Sequence, residues 1–187
     1  YITNGIWSPL KRVDDGWGFW DGVRSANLFL ENFDPKVLER FQYNEDYDEM
    51  IDKASKFSLE VRFLRAFYLF ELAKRYGDIP LITRTYTQEE INSVRKTSFA
   101  DVIDFIAKEC TEITREGGLP EDGVRGETGR VTKGAALALK SRALLYAASD
   151  LHNPAHDLTK WEAAAKAAYE VIKMNKYQLP NVSTDPL

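Results

Sequence analysis

The residues best suited to chemistry are His152 and His156, the only histidines in the chain. Four positions apart on a helix, they would lie on one side of it and could hold zinc together. Pro154 lies between them and disfavours helical backbone at the residue before it. Asp150 and Asp157 could supply further ligands. Metal binding therefore stays open as an alternative, but the sequence predicts no metal site here.

Carboxylates are the next candidates for chemistry. Segment 44–52 carries five of them, but a calcium loop also needs a central glycine, which this segment lacks. A glycosidase needs one acid in an apolar setting and a partner about 5–10 Å away. The acidic residues here nearly all fall at polar-face positions, and there is no nucleophile elbow, phosphate-binding glycine loop or dinucleotide fingerprint. The sequence therefore predicts a protein that is not an enzyme and needs no cofactor.

Cys110 is the only cysteine, which excludes an internal disulfide and a cysteine-based zinc site. It falls at an apolar position of a predicted helix, which favours a buried small side chain over a catalytic thiol. The net charge is −4 with both signs mixed along the chain, so no basic stripe exists for nucleic acid. With 187 residues, 44% hydrophobic and 29% charged, the chain has the composition of one globular domain.

The element that organises these residues is a predicted helix over 57–76. One apolar set recurs at helical spacing, and a second fills most of the remaining circumference. Such a helix must be covered on nearly all sides, so we expect neighbouring helices on two of its faces. Charged residues interrupt it every few positions, and Gly77 and Pro80 bound it, which argues against a membrane span. The first apolar face consists of Phe57, Val61, Leu64, Tyr68 and Leu72.

Further helices are predicted around this central one. They cover residues 17–33, 36–43, 98–114, 132–150 and 159–175. Ser98, Thr132 and Thr159 are the predicted N-caps of the last three. Asn27 falls on the buried face of the first helix, where we expect its amide to hydrogen-bond neighbouring backbone. The predicted buried face of the last helix comprises Trp161, Ala164, Ala165, Ala168 and Ile172.

Two pairs of these helices echo each other. Arg65–Leu69 resembles Arg142–Tyr146, and each is followed by a loop and by a helix with an aromatic residue near its start. The arginine that opens each segment is expected to snorkel or to pair with a carboxylate on the next helix. Connections 77–97 and 116–130 are too long and unequal for a regular array. The sequence therefore predicts an all-α fold of tetratricopeptide-like helix pairs with long loop insertions.

Four stretches of the chain resemble the N-terminal half of the SusD/RagB family, the surface nutrient-binding lipoproteins of Bacteroidetes. Their order and spacing match the family across most of residues 7–180. The stretches are Trp20–Asn27, Arg65–Tyr68 running on to Arg75–Ile82, Gly129–Lys140, and Tyr146–Ser149 followed by Trp161–Glu162. The resemblance implies that residues 1–187 are the tetratricopeptide-like helical portion of a SusD-like protein. An N-terminal signal and lipid-attachment region and a C-terminal half would lie outside this sequence.

The resemblance also implies a function. Such a protein would lie on the outer membrane at the cell surface, held by a lipid anchor. Its helices would dock on a SusC-like TonB-dependent transporter, and it would capture oligosaccharide, or in some members peptide, without breaking the ligand's bonds. The alternative is a soluble tetratricopeptide-type adaptor for protein–protein interaction, which predicts a regular array with short turns. A glycosidase on an all-helical scaffold is a more distant alternative.

The resemblance gives little guidance on binding residues. The family's ligand-contacting aromatics lie mostly on loops, some before the region matching Trp7 and others in the C-terminal half. The loop residues Trp7, Asn4 and His152 are therefore the candidate ligand-binding residues. For Trp7, the structural alternative is an aromatic plug over the core.

Overall fold

The computed structural model describes residues 15–122 and 129–178. Within these ranges the regular elements are helical, as the sequence predicts, apart from an isolated bridge between Ile79 and Thr97. No helix in the described ranges has the length and apolar character needed to cross a bilayer. In chain order the elements are α1 (Phe19–Asn32), a 3₁₀-helix (Pro35–Phe41), α2 (Tyr47–Tyr76), α3 (Gln88–Ile91), α4 (Phe99–Ile113), α5 (Lys133–Ala148) and α6 (Leu158–Lys173).

The central helix α2 is longer than its apolar pattern predicts. It has 30 residues and begins at Tyr47 rather than at Phe57. Asp48 and Glu49 lie in its first turn, where the helix dipole favours negative charge. Much of the acidic segment is therefore helical, which an apolar period could not reveal. The helix ends at Gly77, whose φ of 70° suits a residue without a Cβ.

Helix α2 has the neighbours that its apolar surface predicts. Helices α1, α4 and α5 all pack against it, and the core lies between them. Burial of this apolar surface is the main stabilising contribution to the fold. The core includes Val23 of α1, Leu69, Phe70 and Leu72 of α2, Val102, Ile103, Ile106 and Cys110 of α4, and Ala143 of α5.

The helices stack in chain order, with α2 against α4, α4 against α5 and α5 against α6. This confirms the predicted arrangement of tetratricopeptide-like pairs joined by long connections. The two echoing arginines have different partners. Arg65 forms an ion pair with Glu109 of α4 at 3.0 Å, as predicted. The guanidinium of Arg142 instead lies over the ring of Phe70, 5.6 Å from its centroid.

Helix α6 begins at Leu158, because its N-cap is Asp157 and not the predicted Thr159. The Asp157 carboxylate accepts hydrogen bonds from the amide of Thr159 at 2.9 Å and from its hydroxyl at 2.7 Å. Both residues are of types that cap helices, and the carboxylate that comes first in the chain takes the position. The caps predicted at Ser98 and Thr132 are confirmed.

The buried face of α6 is also rotated from the predicted one. Ala164 and Ala167 are buried, whereas Trp161 is 43% exposed and Ile172 69% exposed. Helix α5 presents small residues such as Ala136 to its surroundings, and helices approach most closely where the facing side chains are small. The alanine face of α6 therefore packs on α5, and the larger apolar residues remain on the outer surface.

We expect Asp157→Ala to lower the free energy of unfolding by about 1 kcal/mol, because the Thr159 amide in the first turn of α6 loses its acceptor. Thr159→Ala is the matched control, since it removes a hydroxyl donor but leaves the cap in place. Urea denaturation followed by circular dichroism measures both. A loss for Thr159→Ala as large as that for Asp157→Ala would contradict this assignment of the cap.

Candidate functional site

Of the three residues that the sequence analysis proposes for ligand binding, Trp7 and Asn4 lie outside the described residues. His152 lies in the turn between α5 and α6. Its ring stacks on that of Phe99, with centroids 3.6 Å apart and planes inclined by 9°. Burial lowers the pKa of His152, and the charge of Lys160 adds to this effect. The neutral imidazole is therefore favoured, which suits a ring packed flat against a hydrocarbon surface.

The neighbouring histidine does not join His152 in a metal site. His156 has its Nδ1 3.6 Å from a carboxylate oxygen of Asp150, and both side chains are largely exposed. Across residues 15–122 and 129–178, no three His, Cys, Asp or Glu residues come together as metal ligands would. Cys110 is fully buried, and burial raises the pKa of its thiol to about 12. It packs as the small apolar side chain that the sequence predicts.

His152 is linked through Phe99 to a concave feature of the molecule. Asp78, at the start of the connection between α2 and α4, accepts a hydrogen bond from the amide of Phe99 at 2.8 Å. Asp78 also lines a cleft of about 530 Å³. His152 is therefore connected to this cleft through Phe99, whose ring stacks on His152 and whose amide bonds to Asp78. We call this feature the tryptophan cleft, after Trp17 and Trp20 in its wall.

Three aromatic rings form one side of the tryptophan cleft. Trp17 precedes α1, Trp20 lies in its first turn, and Tyr76 is the last residue of α2. The Trp17 and Tyr76 centroids are 5.9 Å apart with planes at 87°, and the Trp17 and Trp20 centroids are 6.5 Å apart at 69°. Trp17 is 61% exposed and Tyr76 39% exposed. Large aromatic surfaces left open to solvent in a concave site are typical of ligand-binding positions.

Asp15 forms hydrogen bonds with two of these aromatic residues. The Tyr76 hydroxyl donates a hydrogen bond to the Asp15 carbonyl oxygen at 2.5 Å, and the Trp17 amide donates one to the Asp15 carboxylate at 3.0 Å. Aliphatic residues of the connection 77–97 also line the cleft, together with Lys96 of the same connection. The cleft is thus apolar on its walls, with a carboxylate and an ammonium among its lining groups.

A second depression, of about 410 Å³, adjoins the first and shares Trp20, Ile82 and Ile91 with it. Its lining is more polar. The guanidinium of Arg84 lies 3.9 Å from the centroid of the Tyr86 ring. The two depressions together form one groove along the junction of α1 with the connection 77–97.

Buried polar groups fasten this connection to the helices. The side-chain amide of Asn27 donates hydrogen bonds to the carbonyl oxygens of Ile82 at 3.2 Å and Arg84 at 3.1 Å. Arg65 donates to the carbonyl oxygen of Thr83 and to the side-chain oxygen of Asn27, both at 3.0 Å. The prediction that Asn27 hydrogen-bonds backbone is confirmed. Its partners lie more than fifty residues away in the chain, which the sequence could not reveal.

Two further contacts fix the same connection. The Thr97 amide donates to the Ile79 carbonyl oxygen at 2.8 Å and closes the base of the loop. Glu31 of α1 accepts hydrogen bonds from the amide and hydroxyl of Thr85 at 2.7 and 2.6 Å, and these bonds lower the pKa of Glu31. These contacts make the connection an anchored wall of the groove. Such a wall keeps the groove open before any ligand arrives.

Comparison with known proteins gives a family match. A SusD-like family model, described as "Starch-binding associating with outer membrane", matches residues 17–145. A crystal structure of a SusD-like protein from Bacteroides fragilis is 31% identical, with a TM-score of 0.65, and the match covers 89% of this chain. A SusD superfamily protein from Parabacteroides distasonis is 28% identical over 89% of this chain, with a TM-score of 0.64. No curated protein matches the chain.

A third solved structure bears the name "Laminarin binding SusD-like protein". It is 28% identical over 83% of this chain, with a TM-score of 0.62. The chain spans less than a third of the length of these three structures, covering 28%, 32% and 29% of them respectively. The shared part is the helical portion described above.

Proposed function

This chain belongs to the SusD-like family, and from that membership we propose that the whole protein binds oligosaccharides at the cell surface without breaking their bonds. Peptide is the alternative ligand class. Residues 1–187 are in this proposal the helical portion of a longer chain. A lipid-attachment region and a C-terminal half lie outside it, and a SusC-like TonB-dependent transporter of the outer membrane receives the ligand.

The groove beside α1 supports carbohydrate binding. Sugars combine a C–H face that packs on aromatic rings with hydroxyls that need hydrogen-bond partners. The tryptophan cleft offers both, since the partly exposed Trp17 and Tyr76 line the same cavity as Asp78 and Lys96. Binding sites of this kind are largely apolar with a few polar groups that set orientation.

The buried carboxylates support a protein that binds without catalysis. A glycosidase needs a general acid whose pKa is raised so that it holds a proton near neutral pH. Burial favours such a rise for Glu71 and Glu109, but neighbouring cations outweigh it and keep the pKa of each below its ordinary value. Lys74 and Arg75 do this for Glu71, and Arg62 and Arg65 for Glu109, through hydrogen bonds to the carboxylates. These acids are structural ion-pair partners.

The proposal is tested on the full-length protein, expressed with its own signal in a host with an outer membrane. We expect isothermal titration calorimetry to detect saturable binding of at least one oligosaccharide from a broad panel. We also expect a TonB-dependent transporter to co-purify with the protein in detergent. Absence of binding to every oligosaccharide, together with tight capture of a soluble protein partner, would favour the adaptor alternative.

A further inference from the structure

Helix α6 carries more apolar surface than its one neighbour covers. Ala164 and Ala167 are buried against α5, and within the described residues no other helix packs on α6. A second row of apolar residues runs along the adjoining side of α6, and we call it the α6 stripe. It consists of Leu158, Trp161, Ala165, Tyr169 and Ile172.

The α6 stripe is continuous and open. Trp161, Ala165 and Ile172 are separated by four and seven positions, which places their side chains on one side of a helix. Ile172 is 69% exposed. The next side round the helix is polar, and there Lys166 pairs with Glu162 at 2.7 Å. A surface helix needs one apolar side for the core, and a second contiguous one marks an interface.

The α6 stripe does not suit the end of a helical stack. In stacked helical repeats the terminal helix has a polar outer face, because that face meets water. Helix α2, which is also apolar on more than one side, is covered by α1, α4 and α5. Helix α6 has the same need but only one helix against it. We therefore expect the stack to continue beyond α6.

The order of the stack indicates what covers the stripe. From α4 to α6, each helix packs on the one that follows it in the chain, so the next place belongs to a segment that follows α6. More than two thirds of each solved relative described above lies outside its match to this chain. In a protein of that length, the later part of the chain is long enough to supply such a segment.

The path of the chain after α6 agrees with this order. Lys176 forms an ion pair with Asp122 at 2.7 Å. Tyr177 packs against Gly134 in the first turn of α5, where a Cβ would collide with the tyrosine hydroxyl. These contacts hold the chain beside the C-terminal end of α6. A helix that follows from there has a direct route back along the stripe, antiparallel to α6.

From these observations we propose that the α6 stripe is an interface for an amphipathic helix from the part of the whole protein that follows residue 187. The proposal rests on the proposed function only for the existence of that part. The stripe fits an occupant with an apolar face, since Trp161 and Tyr169 present broad rings. Ala165 lies between them in the sequence and leaves room for a larger apolar side chain of the occupant.

The test is thiol labelling of the full-length protein, purified in detergent away from other membrane proteins. Ile172→Cys places a thiol in the stripe, and Tyr169→Cys is a second variant in case the first does not fold. Glu162→Cys is the matched control on the polar side of α6, where the Glu162 side chain is 63% exposed. The unsubstituted protein gives the background, to which the fully buried Cys110 adds little.

We expect both stripe cysteines to react with a maleimide at least about tenfold more slowly than the control, at every protein concentration, because a covered thiol is reached only by local opening. Equal rates would overturn the proposal. Protection that fades on hundredfold dilution would assign the stripe to a second copy of the chain. Protection that appears only when a transporter co-purifies would assign it to that partner. Either result would overturn the proposal, and none of these outcomes changes the calorimetric test of glycan binding.

Discussion

Replacement of Glu109 by leucine is expected to lower the free energy of unfolding by about 3–5 kcal/mol, because it leaves the buried guanidinium of Arg65 without its counter-charge. The Glu109 carboxylate forms ion pairs with Arg62 at 2.6 Å and with Arg65 at 3.0 Å. Only 10% of the Glu109 side chain is exposed. Arg65 in turn holds the backbone of Thr83 and the side chain of Asn27. The substitution therefore disturbs α2, α4 and the wall of the groove together.

Glu109→Gln is the milder companion variant, which keeps the shape of the side chain and should remain folded. The pair of Lys140 with Glu170, at 2.9 Å, provides the control, since the Glu170 side chain is 46% exposed. Glu170→Gln should lower the free energy of unfolding by less than about 1 kcal/mol, since an ion pair with a solvated partner contributes little. Urea denaturation of all variants at neutral pH gives the comparison. A loss for Glu109→Leu no larger than that for Glu170→Gln would contradict the role assigned to this network.

The same network gives a pH dependence with a defined sign. Burial acts to raise the pKa of Glu109, but hydrogen bonds and charges of Arg62 and Arg65 outweigh it and hold the pKa below the ordinary value of 4.5. A carboxyl with a lowered pKa in the folded state stabilises the protein above its unfolded pKa. That contribution is lost as the pH falls through the folded pKa. The wild-type protein should therefore lose stability below about pH 5 more steeply than Glu109→Gln.

Replacement of Phe70 by alanine is expected to lower the free energy of unfolding by about 3–5 kcal/mol. Phe70 is fully buried, and its ring meets that of Tyr146 edge-on across the contact of α2 with α5, with centroids 5.3 Å apart. Truncation removes the apolar transfer energy and leaves a cavity at the centre of the helical stack. The guanidinium of Arg142 also loses the ring over which it lies.

Leu145→Ala is the control for this prediction, because Leu145 is on α5 but 49% exposed. Leu145→Ala should lower the free energy of unfolding by less than about 1 kcal/mol, as expected for a partly exposed position. Differential scanning calorimetry should show a much lower melting temperature for Phe70→Ala than for Leu145→Ala. Similar melting temperatures would mean that α2 and α5 do not form one cooperative core.

Features set by local interactions were predictable from the sequence. The caps at Ser98 and Thr132 each involve a side chain and an amide three residues along, so their residue types reveal them. The amphipathic stripe of α4 and its buried Cys110 follow from a simple period. Where two capping residues compete, as Asp157 and Thr159 do, the sequence alone does not rank them.

Features set by tertiary contact were not predictable. The tryptophan cleft joins the start of α1 to the end of α2, so Trp17 and Tyr76 meet although they lie far apart in the chain. Nothing in the spacing of either residue marks it as a binding residue. The predicted buried face of α6 is wrong for a related reason. The side of α6 that is buried is the one whose alanines fit against α5, and this fit depends on the tertiary packing.

The most direct test of this account is recovery of the ligand. The full-length protein, once titrated with an oligosaccharide that it binds, is incubated with that oligosaccharide at a concentration well above the dissociation constant. The products are then separated by chromatography. We expect saturable binding and recovery of the oligosaccharide at its original length after prolonged incubation. Shorter fragments that accumulate in proportion to the protein would contradict a helical frame that binds glycan and performs no reaction.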